Sequence, residues 1–209
     1  MCRRVLSLSL AVQYYQCAPF CPIGNLMKES SHLVSFDFSE SHMSGRLRSA
    51  DVNAAIAAVS SPGGEQVLDA LFEYVVSSPK LRVASNSAWV LSHLPSRYRP
   101  WLSERRGRLA DALLSSSDDT LRRILVTILA NLDWAAEDLR SDLIDFALDN
   151  ITNLHVPLGV RAQSLYLAHK MCATVPELAA EFRLVRSLLA EEADLPPGLR
   201  AAVRRTGCK

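Results

Sequence analysis

The sequence contains one pattern that constrains its fold more than any other: an aliphatic residue followed by arginine, recurring about every 39 residues. Successive pairs lie 40, 39 and 39 positions apart, and they are Leu81-Arg82, Leu121-Arg122, Val160-Arg161 and Leu199-Arg200. The first two copies align without gaps at a shift of 38, so the turns should differ by a residue or two. A period of this length is typical of stacked repeats, in which each unit buries its apolar face against its neighbours.

Each repeat carries two amphipathic helical patterns. The first repeat opens with apolar residues at helical spacing, at Leu68, Leu71, Phe72, Val75 and Val76. Its second helix ends before Pro95 and places on one face Val83, Val90, Leu91 and Leu94. In the next repeat, Pro100 suits the first turn of a helix that would bury Leu102, Leu109, Leu113 and Leu114. No alternating strand pattern competes, which predicts an all-α superhelix of about four helix pairs, capped by an alanine-rich helix over Asp51–Val59.

The turn and helix start at Asp118–Arg122 resemble those of HEAT repeats, in which an acidic or proline turn precedes Val/Leu-Arg at the start of the inner helix. The resemblance covers residues 65–206 and all four pairs. It implies a non-enzymatic α-solenoid, and it implies a ladder formed by the inner-helix arginines. We expect those four arginines to bond the preceding turn or the next repeat rather than a ligand.

Composition and charge narrow the class of protein further. The chain has 209 residues, 49% of them hydrophobic and 22% charged, which excludes a disordered chain. A formal net charge of +1 provides no overall field that would attract the protein to DNA or to a membrane. No segment approaches the ~20 apolar residues of a membrane span.

Residues 1–42 differ in character from residues 43–209, the predicted repeat domain. They hold Cys2, Cys17 and Cys21 and show no sustained helical or strand period. Three interpretations stay open: a leader upstream of a true start at Met27 or Met43, a disordered tail, or a weak secretory signal around Val5–Val12. The remaining two cysteines, Cys172 and Cys208, form neither a disulfide framework nor a zinc site, which favours a reducing compartment and a cytoplasmic location.

Motifs that would carry catalysis are missing from the sequence. It has no Gly-rich phosphate loop, no His-Glu-x-x-His, no Cys-x-x-Cys and no Gly-x-Ser-x-Gly. A resemblance to adenylosuccinate lyase is also excluded. The nearest fragment to that superfamily's loop, Ser77–Lys80, lacks its Met-Pro and Asn-Pro parts, and the chain is about half the length of such enzymes. We therefore expect no enzyme, no metal and no cofactor.

A short basic segment is the first candidate surface. Residues 96–108 contain five arginines with Tyr98 and Trp101 between them: Arg97, Arg99, Arg105, Arg106 and Arg108. Guanidinium groups grip phosphates and aromatic rings stack on bases, so this pattern suits single-stranded nucleic acid. The alternative is a solvated connection between repeats with Trp101 in the core, and the neutral overall charge favours it.

A polar stripe on the inner helices is the second candidate. Shifts of 38 and then 39 residues bring equivalent positions of successive repeats into alignment. The equivalent positions on the polar face are Trp89, His93, Thr127, Asn131, Tyr166 and Lys170. If these residues line the concave groove, they form a binding path for a protein or peptide, with aromatic anchors. Trp89 could instead pack between repeats.

The favoured function is therefore a scaffold that binds a protein or peptide partner. The alternative is a nucleic-acid-binding protein or an enzyme similar to the HEAT-like alkylpurine DNA glycosylases, using Trp89, Tyr166, Arg123 and Asp133. A net charge of +1 argues against a tight grip on duplex DNA.

Overall fold

The repeated amphipathic patterns fold into a stack of helices. The computed structural model describes residues 36–207, and within them it contains eleven α-helices, two 3-10 turns and no β-strand. In chain order the helices are α1 (Glu40–Met43), α2 (Ser49–Val59), α3 (Gly64–Ser77), α4 (Leu81–Ser92), α5 (Arg99–Glu104), α6 (Arg106–Ser115), α7 (Asp119–Ala130), α8 (Ser141–Thr152), α9 (Leu158–Cys172), α10 (Pro176–Ala190) and α11 (Pro197–Arg205). The all-α prediction is confirmed.

The helices form two layers, as expected for four helix pairs. Helices α3, α6, α8 and α10 pack in succession as the first layer, and α4, α7, α9 and α11 pack in succession as the second layer. Within each pair the two helices also pack against each other. Among the described residues, helix α2 packs mainly against α3 and α4, so it covers the amino-terminal end of the stack. The superhelix of four pairs is thereby confirmed.

Burial follows position in the stack. Helix α7 lies between α4 and α9 and against α6, and it buries seven of its twelve residues, among them Leu125 and Leu129. Helix α10 belongs to the last pair and buries only Phe182 and Leu189. Because each fully buried Leu or Phe side chain stabilises by about 1.5–3 kcal/mol, the central helices contribute most of the core.

The position of the aliphatic-arginine pair within its helix, rather than the turn length, explains why the first two repeats show shifts of both 38 and 40. Helices α4 and α7 begin 38 residues apart, but the pair starts at the first residue of α4 and at the third residue of α7. Three residues connect α3 to α4 and α6 to α7, whereas five connect α8 to α9 and six connect α10 to α11. The aliphatic-arginine pairs nevertheless stay near a period of 39, because each pair sits at or close to the start of its second-layer helix.

The single helix predicted from Pro100 to Leu114 is wrong in detail, since the chain breaks at Arg105 into α5 and α6. Arg105 leaves the helical backbone conformation, with φ of −102° and ψ of 7°. Its guanidinium turns back over the Trp101 ring at 4.1 Å, and its Nη1 donates to the Trp101 carbonyl at 3.3 Å. Leu102, Leu109 and Leu113 are buried as expected, and Leu114 is half-buried.

Residues 36–47 pack on the repeats. Met43 is fully buried at the end of α1, and the Asn86 side-chain amide of α4 donates to the carbonyls of Met43 at 2.7 Å and Gly45 at 2.9 Å. The predicted boundary between residues 42 and 43 therefore falls inside α1. The predictions made on Val5–Val12 and on the cysteines other than Cys172 concern residues outside the described range. Across residues 36–207, no helix combines the length and the apolarity that a membrane crossing requires.

Candidate partner-binding surface

Three of the four repeat arginines contact the preceding turn or helix or the next repeat. Arg161 is buried, its Nε donates to the Ile151 carbonyl of α8 at 3.0 Å, and its Nη2 lies 3.5 Å from Glu192 beyond α10. Arg200 donates to the Leu195 carbonyl in the preceding turn at 2.9 Å. Arg122 lies 5.1 Å from the centre of a ring in the next repeat, that of Phe146. These contacts agree with the expected ladder.

The fourth arginine of the series differs. Arg82 is exposed, and it lines an open pocket of about 330 Å³ together with Leu81, Ser85, Asp118 and Thr120. The Ser85 hydroxyl donates to the Asp118 carboxylate at 3.4 Å, which joins α4 to the start of α7. Arg82 therefore points to solvent where the first two second-layer helices begin.

The arginines of the basic segment are largely engaged by the protein itself. Arg108 forms two hydrogen bonds to the Glu73 carboxylate of α3, at 2.7 and 2.9 Å. Arg105 lies 3.3 Å from Asp69, and Arg106 pairs with Asp138. These hydrogen bonds keep the pKa values of Glu73 and Asp138 below the usual range. Three of the five guanidinium groups thus join neighbouring first-layer elements.

The other two arginines of the segment face solvent. Arg97 is exposed and lies 5.0 Å from the centre of the adjacent Tyr98 ring, and Arg99 is exposed at the mouth of a cavity of about 160 Å³. Trp101 is half-buried against the core and meets the Phe72 ring edge-on at 5.6 Å. Within the described part of the chain, the segment therefore presents two guanidinium groups without a carboxylate partner, rather than five.

On α4, the predicted stripe combines a half-buried aromatic with an exposed histidine. Trp89 packs partly against the core and keeps part of its surface in solvent. His93 is exposed, its Nδ1 lies 3.0 Å from the Trp89 carbonyl, and the two rings meet edge-on at 6.1 Å. Trp89 therefore belongs both to the core boundary and to the surface, which combines the two interpretations left open above.

On α7 and α9, one of the predicted stripe residues, Lys170, connects neighbouring repeats. Thr127 is half-buried and donates to the Arg123 carbonyl at 2.7 Å, and Asn131 is exposed at the end of α7. The Lys170 ammonium donates to the Leu132 carbonyl at 3.0 Å, immediately beside Asn131. Tyr166 is half-buried, one turn before Lys170. The stripe is therefore continuous from α7 to α9.

Two further residues extend the stripe: Arg205, which was not predicted from the sequence, and Arg123, which was named only for the glycosylase alternative. Arg205 of α11 lies with its Nη1 3.5 Å from the Tyr166 hydroxyl, and Arg123 of α7 lies across Gly159 of α9. A Cβ at Gly159 would come within 2.7 Å of the Arg123 Cδ, so glycine makes room for that arginine. The same shift of 39 that links Thr127 to Tyr166 leads on to Arg205, so the repeat itself carried this signal.

Residues 36–207 show few features that would support a catalytic site. They contain no cluster of three or more His, Cys, Asp or Glu residues arranged to hold a metal ion. The Cys172 thiol is buried, and burial raises its pKa to about 11, so it is not poised as a nucleophile. Asp133, a residue of the glycosylase alternative, is 92% exposed and lies 4.0 Å from Lys170. A desolvated catalytic carboxylate would be buried.

The two-layered stack and its ladder of arginines define a helical-repeat scaffold, a class of proteins that is generally non-enzymatic and commonly binds other proteins. The family comparison agrees with the geometry, because a HEAT repeat domain model matches residues 39–209. The chain belongs to the HEAT repeat family. No curated protein and no solved structure matches the chain.

Proposed function

We propose that this HEAT repeat protein is a scaffold that binds a segment of another protein across the exposed face of its second layer. The surface, here called the second-layer stripe, comprises Arg82, Trp89, His93, Arg123, Thr127, Asn131, Tyr166, Lys170 and Arg205. The single observation that carries the proposal is the continuity of this face. Contacts cross each boundary between second-layer helices: a Ser85–Asp118 hydrogen bond beside the stripe joins α4 to α7, and stripe residues themselves join α7 to α9 and α9 to α11.

The composition of the stripe also supports protein binding. Trp89 and Tyr166 each keep an exposed part while their inner parts are held by packing, and rigid aromatics of this kind are frequent anchors at interfaces. Held side chains lose little conformational entropy when a partner binds. The basic segment supports nucleic-acid binding less well, because three of its five arginines are neutralised by carboxylates.

The proposal is tested by obstructing the stripe without disturbing the core. Asn131→Tyr places a bulky, uncharged group on the exposed end of α7, next to Lys170. Asn53→Tyr is the matched control, since Asn53 is also exposed but lies on α2, outside the second-layer stripe. The two variants and the unmodified full chain are immobilised and incubated with native lysate, with and without nuclease, and the captured proteins are identified by mass spectrometry.

We expect Asn131→Tyr to lose proteins that the Asn53→Tyr variant retains, with nuclease making no difference and both melting temperatures unchanged. Identical capture by all three proteins would refute the second-layer stripe as the binding surface. Capture that disappears with nuclease in all three would move the function to nucleic-acid binding.

A further inference from the structure

The charges of the protein are segregated between its two layers, although the whole chain is almost neutral. The four second-layer helices contain eight Arg or Lys residues and one Asp. The four first-layer helices contain nine Asp or Glu residues and four Arg. The second layer thus carries a formal net charge of +7 and the first layer one of −5, a difference that the total of +1 conceals.

Several second-layer cations are free to meet a partner. Arg82, Arg123 and Arg205 are exposed, and within residues 36–207 none of them forms an ion pair. Lys170 is half-buried and keeps a distant pair with Asp133 at 4.0 Å. These four cations lie one on each second-layer helix, so they follow the stripe from one end of the stack to the other.

The carboxylates near the stripe reduce this charge without cancelling it, because they are fewer than the second-layer cations. Asp118 accepts hydrogen bonds from the Leu121 amide, as the N-cap of α7, and from Ser85, both at its Oδ1. Asp119 is exposed at the same helix start, and Glu192 pairs with the buried Arg161. A surface with more cations than carboxylates attracts an anionic partner.

The spacing of the cations indicates the form of that partner. Packed helices lie about 8–10 Å apart, so a segment that crosses the four second-layer helices spans roughly 30 Å. A chain in the extended polyproline II conformation advances about 3.1 Å per residue with three residues per turn, so every third side chain lies on the same face and about 9 Å from the last, close to the spacing of the helices. Duplex DNA presents about 18 phosphate charges over the same 30 Å, far more than four cations can neutralise.

We infer that the second-layer stripe binds an extended acidic segment of another protein, with a carboxylate at about every third residue. This inference rests on the proposed function, and it specifies the chemistry of the partner. Carboxylates pair with Arg82, Arg123, Lys170 and Arg205, and the residues between them contact Trp89 and Tyr166. Arginine is suited to this role because its guanidinium binds a carboxylate through two parallel hydrogen bonds.

The test uses a synthetic probe. It is a fluorescein-labelled peptide of about twelve residues with Glu at every third position among Ser and Leu, which is long enough to cross all four helices. A second peptide carries Gln in place of Glu, and a labelled single-stranded DNA oligonucleotide of similar length is the third probe. Fluorescence anisotropy reports the Kd of each probe for the full chain.

Two charge-reversal variants distinguish binding at the second-layer stripe from a general effect of the protein's net charge. The stripe variant carries Arg82→Glu, Arg123→Glu and Arg205→Glu. The control variant carries Arg46→Glu, Arg97→Glu and Arg183→Glu, three exposed arginines outside the second layer. Both lose the same net charge, and circular dichroism melting establishes that both are folded.

We expect the acidic peptide to bind the unmodified chain and the control variant, and to bind the stripe variant at least about tenfold more weakly. The Gln peptide should bind about as weakly, and salt raised from about 50 to 300 mM should weaken the acidic peptide's binding. No binding of the acidic peptide, or equal binding by both variants, overturns the inference. Tighter binding of the oligonucleotide than of the acidic peptide would assign the stripe to nucleic acid. Self-association of the unmodified chain in sedimentation would assign the stripe to a second copy of the chain. Either result overturns the inference.

The two proposals fail separately. If lysate proteins are lost in Asn131→Tyr but retained by the stripe variant, the binding surface stands and the acidic partner is refuted. If Asn131→Tyr captures everything that the unmodified chain does, the scaffold function at this surface fails, whatever the peptide does.

Discussion

Replacement of Arg161 by methionine tests whether the repeat arginines hold the stack together. Methionine keeps an unbranched apolar stem of similar reach but removes every hydrogen-bond donor. The Ile151 carbonyl, which accepts from Arg161 Nε at 3.0 Å, belongs to the last turn of α8 and has no partner within that helix. It would be left unsatisfied in a buried site.

The magnitude follows from the contacts. A hydrogen bond from a charged donor contributes about 1.5–3 kcal/mol, and the half-exposed Glu192 is rehydrated at little further cost. We therefore expect Arg161→Met to lower the free energy of unfolding by about 2–3 kcal/mol. For a protein of this size that corresponds to a fall in Tm of about 5–10 °C.

The assay is urea unfolding followed by circular dichroism at 222 nm, with Arg200→Met as the control. Arg200 holds the same place in the last repeat, but it is exposed and makes one hydrogen bond, to Leu195. Its replacement should lower the free energy of unfolding by less than about 1 kcal/mol. A loss under about 0.5 kcal/mol for Arg161→Met, or equal losses for both variants, would refute the reasoning.

Two further predictions concern other contacts. Asn86→Ala leaves the Met43 and Gly45 carbonyls without their shared donor, and we expect a loss of about 2–4 kcal/mol in urea unfolding, against under about 0.5 kcal/mol for exposed Asn53→Ala. Hydrogen bonds from arginines lower the pKa values of three carboxyl groups in the folded state; the pairs are Arg106–Asp138, Arg108–Glu73 and Arg140–Asp142. These hydrogen bonds stabilise the fold fully above the pKa values of the unfolded chain, and this stabilisation is lost as the pH falls through the pKa values of the folded state. Tm should therefore fall below about pH 4.5, and less steeply in Asp142→Asn than in the unmodified chain; an equal slope would contradict this.

The fold was predictable because the repeat appears four times. Each copy of the aliphatic-arginine pair predicts the place of the next within a residue or two, and apolar residues such as Leu71 and Leu109 recur at a similar distance of 38. The break at Arg105 was not predictable, since it depends on the guanidinium stacking on Trp101 across one turn. Periodicity shows which face of a helix is buried, but not where a side chain draws the backbone out of the helix.

The surface could be predicted only in part. The shifts of 38 and 39 make Asn131 and Lys170 equivalent positions, and in the structure the Lys170 ammonium donates to the Leu132 carbonyl next to Asn131. They did not show that Arg106 and Arg108 are neutralised by Asp138 and Glu73, because those carboxylates come from segments about 30 residues away. Net charge averaged over the chain also concealed the opposite charges of the two layers.

The sparse burial in α10 has a consequence for the dynamics of the molecule. Leu184 and Leu188 of this helix are 62% and 55% exposed, and among residues 36–207 its main support comes from α8, α9 and α11. In a linear stack each unit is stabilised by its immediate neighbours, so a terminal unit opens without disturbing the rest. Amide hydrogen exchange should therefore be graded along the chain, fastest in α10 and α11 and slowest in α7, which is supported from both sides.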